Sequence, residues 1–147
     1  MTAASNRAVI ETAFNGLANA DPSAFVAAMA DDLAWEIMGK SDWSRRFEGK
    51  ATVERELVGP LFGLFASPYR NVARKIIADD NDNVVVLANG DVRTTSGKDY
   101  KNDYCFVMRM CDGRIVEILE YTDTALVEKV LGPFEQAQTR FCSQEDI

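Results

Sequence analysis

Carboxyl, tyrosine and lysine side chains are the groups of this chain that could move protons, because the sequence contains no histidine. The absence of imidazole excludes serine–histidine and cysteine–histidine nucleophile pairs and removes the usual nitrogen ligands of metal ions. The three cysteines, Cys105, Cys111 and Cys142, cannot all pair within one chain, and we interpret them as structural thiols. We therefore expect acid/base chemistry without a metal or a cofactor.

Three strand-like segments bring such groups next to bulky apolar residues. Alternate positions of a strand point to opposite faces, so a polar residue that shares a face with apolar ones is informative. In 84–94 the polar Asn89 and Asp91 share the odd face with Leu87, whereas the even face is purely apolar or small. In 99–111 and 114–121 both faces carry apolar residues, and the even faces include Asn102, Tyr104 and Phe106, and Ile118 and Glu120, respectively.

The elements that position these residues can be predicted from periodicity and turn signals. Apolar residues at helical spacing predict helices over 8–17 and 21–31, a third helix near 53–64 that Gly59-Pro60 should kink or split, and a last helix over 122–132. A short strand is expected at 33–38, and strands with a period of two are expected near 70–79, 84–94, 99–111 and 114–121. Asp112-Gly113 is a strong hairpin signal. Helices followed by strands indicate an α+β domain with an antiparallel meander.

The length of the chain indicates how many domains it forms, and its net charge argues against some classes of binding partner. With 147 residues the chain should form one domain over 1–134, followed by a polar tail over 135–147. The net charge of −7 makes DNA, RNA and anionic membranes poor partners. No apolar stretch approaches the roughly 20 residues of a membrane span, and no secretory signal is visible, so we expect a cytoplasmic protein. Because both faces of the sheet are apolar, we expect helices on one face and a second copy of the chain on the other, forming a homodimer.

The order of these elements resembles the nuclear-transport-factor-two-like superfamily, and its SnoaL-like branch is the most similar. The resemblance spans roughly residues 5–132 and is carried by Ala30-Asp31-Asp32, Phe47-Glu48-Gly49, the stretch Tyr100 to Tyr104 and the stretch Asp112 to Asp123. It implies a cone-shaped fold in which helices cover the concave face of a curved sheet and enclose a pocket. The superfamily includes ketosteroid isomerases, limonene-epoxide hydrolases, polyketide cyclases and proteins that only bind partners, so the fold leaves the function open.

The resemblance also implies which residues line the concave face: Trp35, Ile37, Leu87, Asn89, Asp91, Asn102, Tyr104, Phe106, Ile118 and Glu120. Such a wall suits a small hydrophobic ligand with one or two oxygen atoms, such as a polyketide, terpenoid or steroid-like carbonyl compound. Glu120 is the leading candidate for the catalytic base, because a carboxyl group among apolar side chains has a raised pKa. Asp91 could share the acid and base roles, and Tyr104 or Asn89 could stabilise an oxyanion.

Differences from the superfamily's catalytic motifs argue against two specific activities, epoxide hydrolysis and steroid isomerisation. The epoxide hydrolases use an arginine and an aspartate on one strand and a second aspartate near the end of the last strand. The matching positions here are Leu87, Asn89 and Glu120. Only Glu120 is an acid, so epoxide hydrolysis is disfavoured. The three residues that match the catalytic groups of the steroid isomerases are Phe14, Ile37 and Phe106, which cannot perform that chemistry.

Structural roles remain as alternatives for each candidate. Glu120 could pair with Arg93 or Arg109, Asp91 could lie at a solvated rim, and Asn102 and Tyr104 could simply fix the sheet. Trp35 could be a core residue, and Trp43 could be a pocket lid or a core anchor. A cofactor-independent isomerase, cyclase or dehydratase is the first functional hypothesis, and a non-catalytic domain that binds a small hydrophobic ligand or a protein is the second.

Overall fold

The structure is a computed structural model that describes residues 2–145. Its helices are α1 (Ala3–Ala18), α2 (Ser23–Ala28), α3 (Lys50–Thr52), a π-helical segment (Val53–Val58), α4 (Gly59–Phe62), α5 (Thr124–Leu131) and α6 (Phe134–Glu145). Its strands are β1 (Met29–Ile37), β2 (Arg46–Glu48), β3 (Arg70–Ala78), β4 (Asn83–Arg93), β5 (Asp99–Tyr100), β6 (Asp103–Cys111) and β7 (Arg114–Thr122).

The strands of the described residues form one mixed sheet in the order β2-β1-β7-β6-β4-β3, with β5 paired to β4 outside this path. β3, β4, β6 and β7 pair antiparallel in succession, as the sequence predicts. β1 joins this meander by pairing parallel to β7, and β2 pairs antiparallel to β1. The sheet is curled and the helices pack on its concave side, so the predicted cone-shaped α+β fold is confirmed.

The concave face of the sheet carries the main core. On β4 this face is formed by the even residues, and Val84 and Val86 are completely buried while Ala88 is 2% exposed. Helix α1 covers it with a stripe at three-and-four spacing that includes the buried Ile10 and Phe14. Removing these apolar side chains from water is the main contribution to stability at this interface.

The structure corrects the predicted orientation of β4. Leu87, Asn89 and Asp91 lie on the convex face of the sheet, and Leu87 is 39% exposed. The reason is burial: the even set of β4 is entirely apolar or small, so it gains more free energy under the helices than the odd set with its polar groups would. These three residues therefore cannot line the concave side.

The predicted break at Gly59-Pro60 takes another form. Helical backbone continues from Lys50 to Phe62, and the turns before the proline widen into the π-helical segment, where the Gly59 N–H donates to the carbonyl of Glu54. Proline has no N–H and its ring would clash with the carbonyl four residues earlier in a regular α-helix. The wider turn avoids this clash, and the carbonyl of Glu56 instead accepts from Gln138 Nε2 at 3.4 Å.

Two further predictions concern chain ends and turns. Asp112 and Gly113 have positive φ values of 50° and 77°, which is the hairpin geometry that the dipeptide predicts. The segment predicted as a polar tail is helical as far as Glu145, and α6 buries Ala137 against the core next to the buried Phe134. Its polar composition reflects an amphipathic helix whose exposed face is long.

Candidate active site

A cavity lies between the concave face of the sheet and the helices that cover it. Its free volume is about 100 Å³, several times the roughly 10–15 Å³ that one water molecule needs. Most of the wall is apolar: Leu17, Pro22, Phe25, Val26, Met29, Trp35, Ile37, Trp43, Leu57, Val58, Leu61, Phe62, Phe106, Val127 and Leu131. The polar residues of the wall are Tyr69, Asn71, Tyr100, Tyr104 and Glu120.

Glu120 is the one carboxyl-bearing residue among the described residues of this wall. It lies in the middle of the sheet, opposite Ile37 of the parallel strand β1 and opposite Phe106 of the antiparallel strand β6. Residues that face each other across neighbouring strands share a face of the sheet. The register therefore places the carboxyl group between two apolar side chains on the concave side.

The carboxyl group of Glu120 has a strongly shifted pKa. Desolvation by the surrounding protein raises this pKa from 4.5 to about 7, against the opposing effect of a hydrogen bond from Trp35. Trp35 Nε1 donates to Oε1 of Glu120 at 3.1 Å. A hydrogen bond to the ionised form favours ionisation, but here burial is the larger effect. Near neutral pH both the acid and the carboxylate are populated, which suits a group that must take up and return a proton.

Aromatic packing holds Trp35 in the orientation that reaches Glu120. Its ring packs edge-on against Phe106, with centroids 6.4 Å apart, and is tilted against Phe25 at 6.0 Å. Phe14 of α1 contacts both Phe25 and Phe106 and completes the cluster. Trp35 is thus a core residue and a cavity residue at once, so the two roles that the sequence left open are combined.

Three tyrosines form the hydroxyl-bearing part of the wall. Burial raises the pKa of Tyr100 to about 12 and raises those of Tyr69 and Tyr104 as well, and the negative charge of Glu120 adds to each shift. All three therefore remain neutral hydrogen-bond donors over the whole range in which Glu120 titrates. All three line the same cavity as Glu120.

The ring of Tyr104 depends on a glycine in the neighbouring strand. It stacks on Phe106, with centroids 5.1 Å apart and planes inclined by 7°. A Cβ atom at Gly90 would come within 3.0 Å of Tyr104 Cε2, closer than carbon atoms pack without displacement. Gly90 thus leaves the space that the Tyr104 ring occupies at the cavity wall.

The proposed ion pairs of Glu120 are absent from the described residues. Arg93 pairs instead with Asp99, at 3.1 Å between Nη1 and Oδ1. Arg109 stands opposite Glu117 on β7, on the convex face. Because no cation among the described residues compensates its charge, the pKa of the half-buried Glu120 stays raised by desolvation.

Trp43 and Asn102 have structural roles. Trp43 is 2% exposed, donates from Nε1 to the carbonyl of Gly132 at 2.9 Å, and packs edge-on against Phe134, so it anchors the start of α6 while one part of it borders the cavity. Asn102 does not line the cavity. Its Oδ1 accepts from the backbone N–H groups of Asp103 and Asp123, and its Nδ2 donates to Tyr100, which ties β5 and β6 to the start of α5.

The outcome for the predicted site residues is mixed. Trp35, Ile37, Trp43, Tyr104, Phe106 and Glu120 border the cavity. Ile118 is fully buried in the core beside it, Asn102 ties β5 and β6 to the start of α5, and Leu87, Asn89 and Asp91 are on the convex face.

Sequence reasoning missed Tyr69, Asn71 and Tyr100. Tyr69 and Asn71 have the same parity at the start of β3, which is a usable signal, but a bulge between Ala73 and Lys75 reverses the parity in the middle of the strand. A single alternation pattern therefore does not describe β3.

We searched the described residues for side chains that could bind a metal ion. Within residues 2–145, no three cysteine, aspartate or glutamate side chains come close enough together to hold a metal ion. No helix of the same range is long and apolar enough to cross a bilayer.

A family model described as a SnoaL-like domain matches residues 10–118. The chain belongs to this family. The match runs from Ile10 in α1 to Ile118 in β7 and includes β1 to β6, whereas Glu120 lies two residues beyond its end. No curated protein matches the chain.

Solved structures of SnoaL-like and related proteins share the fold. PrhC from Penicillium brasilianum aligns with a TM-score of 0.77 at 13% identity, over 97% of each chain. TerC, co-crystallised with polyporic acid, aligns with a TM-score of 0.70 at 22% identity, over 86% of this chain and 98% of TerC. A candidate SnoaL-like polyketide cyclase from a Jannaschia species aligns with a TM-score of 0.70 at 18% identity, over 88% of this chain and 94% of its own.

Proposed function

We propose that this SnoaL-like protein is a cofactor-independent acid/base enzyme of the isomerase, cyclase or dehydratase type. Its substrate would be a small hydrophobic carbonyl compound of polyketide or terpenoid character. The observation that carries the proposal is the carboxyl group of Glu120, which borders a mostly apolar cavity, has no cationic partner among the described residues and has a pKa raised to about 7 by desolvation. The name of the Jannaschia relative and the polyporic acid in the TerC crystal agree with a small organic substrate.

In the proposed reaction, the Glu120 carboxylate removes a proton from the carbon next to the substrate's carbonyl group. The electron pair of the broken C–H bond moves to the carbonyl oxygen, and a tyrosine hydroxyl of the cavity, with Tyr104 as first candidate, donates a hydrogen bond to the resulting enolate. The neutral Glu120 then returns the proton to a carbon or oxygen atom of the substrate. One carboxyl group must perform both steps, because Asp91 lies on the other face of the sheet.

The test uses 2-tetralone, a two-ring ketone with acidic protons beside its carbonyl group, in D₂O. We expect the protein to accelerate deuterium incorporation at these positions above the buffer rate, as followed by proton NMR. Glu120→Gln should lower the catalysed rate by at least about 100-fold, which is the usual contribution of a general base. Glu117→Gln is the matched control, because Glu117 lies on the same strand but on the convex face, where it pairs with Arg46.

A catalysed exchange rate that survives Glu120→Gln would contradict the proposal. The second candidate function is binding without catalysis, and one observation favours it: among the described residues the cavity wall has a single carboxyl group and is mostly apolar. A protein that binds 2-tetralone without accelerating its deuteration would support this candidate. Epoxide hydrolysis has less support, since Leu87 and Asn89 face away from the cavity.

We also propose that the protein is a cytoplasmic homodimer. The convex face of the sheet exposes large apolar residues, among them Ile77, Leu87 and Tyr121, each between 39% and 48% exposed. Contact with a second copy would remove this surface from water. Three free thiols, at Cys105, Cys111 and Cys142, are compatible with a reducing compartment.

A further inference from the structure

Asn71 is a buried polar residue of the cavity wall with an unused acceptor. It lies on the concave face of β3 opposite Gly90 and is 1% exposed. Its Nδ2 donates to the hydroxyl oxygen of Tyr69 at 2.8 Å. Its Oδ1 is buried and has no hydrogen-bond partner within the described residues. A buried acceptor without a donor costs free energy, so a group that supplies one at this place is stabilising.

Tyr69 adds a donor beside this acceptor. Its oxygen accepts from Asn71, which leaves its own O–H free to donate. Its ring is held by aromatic packing, stacked on Phe65 with centroids 5.4 Å apart and tilted against Phe62 at the same distance. Since its pKa is raised by burial, the hydroxyl keeps its proton. An acceptor and a donor therefore lie next to each other at the same part of the wall.

We propose that Asn71 and Tyr69 form a subsite for a hydroxyl group of the ligand. The ligand's O–H donates to Asn71 Oδ1, and its oxygen accepts from the Tyr69 hydroxyl. A hydroxyl group can do both at once, whereas a carbonyl or ether oxygen would satisfy Tyr69 and leave Asn71 without a donor. A charged ammonium group is disfavoured by the apolar surroundings.

This subsite defines the substrate class of the proposed function more closely, and it rests on that function for the role of Glu120. The ligand would be an apolar ring compound that carries an alcohol or phenol at one end and its reactive carbon near Glu120. The hydroxyl group fixes its orientation, while the aromatic wall supplies affinity without direction.

The test compares 2-naphthol with 2-methylnaphthalene, which has the same shape but a methyl group in place of the hydroxyl. Dissociation constants are measured by calorimetry, and their ratio removes the shared contribution of the ring. Asn71→Leu should reduce the preference for 2-naphthol by about tenfold, which corresponds to the loss of one hydrogen bond. Tyr69→Phe keeps the ring packing and should reduce the preference in the same direction.

Asn6→Leu is the matched control. Asn6 is also 1% exposed, and its buried Oδ1 likewise has no hydrogen-bond partner in the part of the chain that the structure describes, but it lies on α1 and does not border the cavity. Its replacement should leave the ratio unchanged. A ratio that is unchanged in both Asn71→Leu and Tyr69→Phe, or that falls equally in Asn6→Leu, would overturn the subsite.

The subsite and the proposed function can fail separately. The binding ratio is measured in the Glu120→Gln background as well, where proton transfer by Glu120 is removed. Loss of selectivity in the Asn71 and Tyr69 variants together with deuteration that persists in Glu120→Gln would support the subsite and reject the catalytic role. The reverse pair of results would support Glu120 as the base and reject the hydroxyl subsite.

Discussion

At the scale of single residues, Glu120 differs from the other carboxyl groups of the chain in what surrounds it. Glu36, Glu48 and Glu117 all pair with Arg46 on the convex side. Among the described residues, the hydrogen-bond donor to the Glu120 carboxyl group is the N–H of Trp35, which is neutral. A neutral hydrogen bond offsets part of the desolvation of a carboxylate, whereas an ion pair can offset all of it. This difference explains why one acid of the sheet has a pKa near neutrality.

Trp35→Phe tests the contribution of that single donor. The variant keeps an aromatic ring between Phe25 and Phe106 but removes the N–H that stabilises the ionised form. We therefore expect the pKa of Glu120 to rise further, by about one unit if the bond has the strength usual for a charged acceptor. The pH profile of 2-tetralone deuteration should shift upward by the same amount. A downward shift, or none, would mean that Trp35 does not stabilise the carboxylate.

The candidate site was predictable from the sequence only in part at this scale. Glu120, Tyr104, Trp35 and Phe106 could be placed from the family resemblance. The hairpin at Asp112-Gly113 alone does not give their register, because a shift between Arg109 and Met110 moves the partner of Phe106 by one residue to Glu120. The orientation of β4 that the resemblance implies is wrong, although alternation favours the observed one, because the even face of β4 is entirely apolar or small and is the buried face.

At the scale of elements, the helical segment from Lys50 to Phe62 closes one side of the cavity, and helix α6 packs against this segment. They meet at Gly59, where a Cβ atom would lie 2.4 to 2.9 Å from the ring of Phe141. The glycine thus allows the ring to rest directly on the helix backbone. The sequence signalled a break at Gly59-Pro60, but the signal could not distinguish a kink from a π-helical turn that accommodates the proline.

Gly59→Ala should therefore destabilise the protein although alanine is a better helix former. Without a clash the substitution would gain up to about 1 kcal/mol in a helix. The overlap with Phe141 reverses the sign, and we expect a loss of about 1–3 kcal/mol in urea unfolding, the usual effect of overpacking. Gly63→Ala is the control, because its Cβ would approach backbone oxygen atoms only to 3.4 Å.

A double variant identifies the cause of that loss. In a Phe141→Ala background the space at Gly59 is open, so Gly59→Ala should there be neutral or stabilising. Equal destabilisation in both backgrounds would show that Phe141 does not rest on Gly59.

Boundaries of elements were the other part that sequence could not define. β1 begins at Met29, whereas helical periodicity extends the second helix to Asp31. The backbone changes from helix to strand at Met29 because this residue pairs with Ile115 of β7, which lies 86 positions later in the chain. Pairing with a distant strand overrides local spacing here. The order and type of the main elements, by contrast, follow from period and turn chemistry.

At the scale of the whole molecule, the sheet has two apolar faces, and their surroundings differ. The concave face meets the helices and the cavity, and the convex face has an apolar centre, formed by Leu87 together with Val85, Val107 and Leu119 in the adjoining row of the register. Charged residues such as Lys75, Asp103 and Arg109 surround this centre. An apolar centre with a polar rim is the usual organisation of a protein–protein interface.

Leu87→Glu tests the proposed homodimer. A charge at the centre of the apolar patch would be buried without a partner on association, so we expect the variant to sediment as a monomer at concentrations at which the unmodified protein is a dimer. Ala51→Glu, which adds the same charge at an exposed position of α3, should remain dimeric. Identical sedimentation of the unmodified protein and Leu87→Glu would contradict an interface on this face.

The ionisation of Glu120 is the property on which the functional account depends, and it can be measured directly. Carbon-13 NMR of protein labelled at the glutamate side-chain carboxyl, with Glu120→Gln to assign the signal, gives its titration curve. We predict an inflection near pH 7, because desolvation by the cavity wall outweighs the hydrogen bond from Trp35. An inflection near the ordinary value of 4.5 would show that the carboxyl group is hydrated and would contradict its role as a proton carrier at neutral pH.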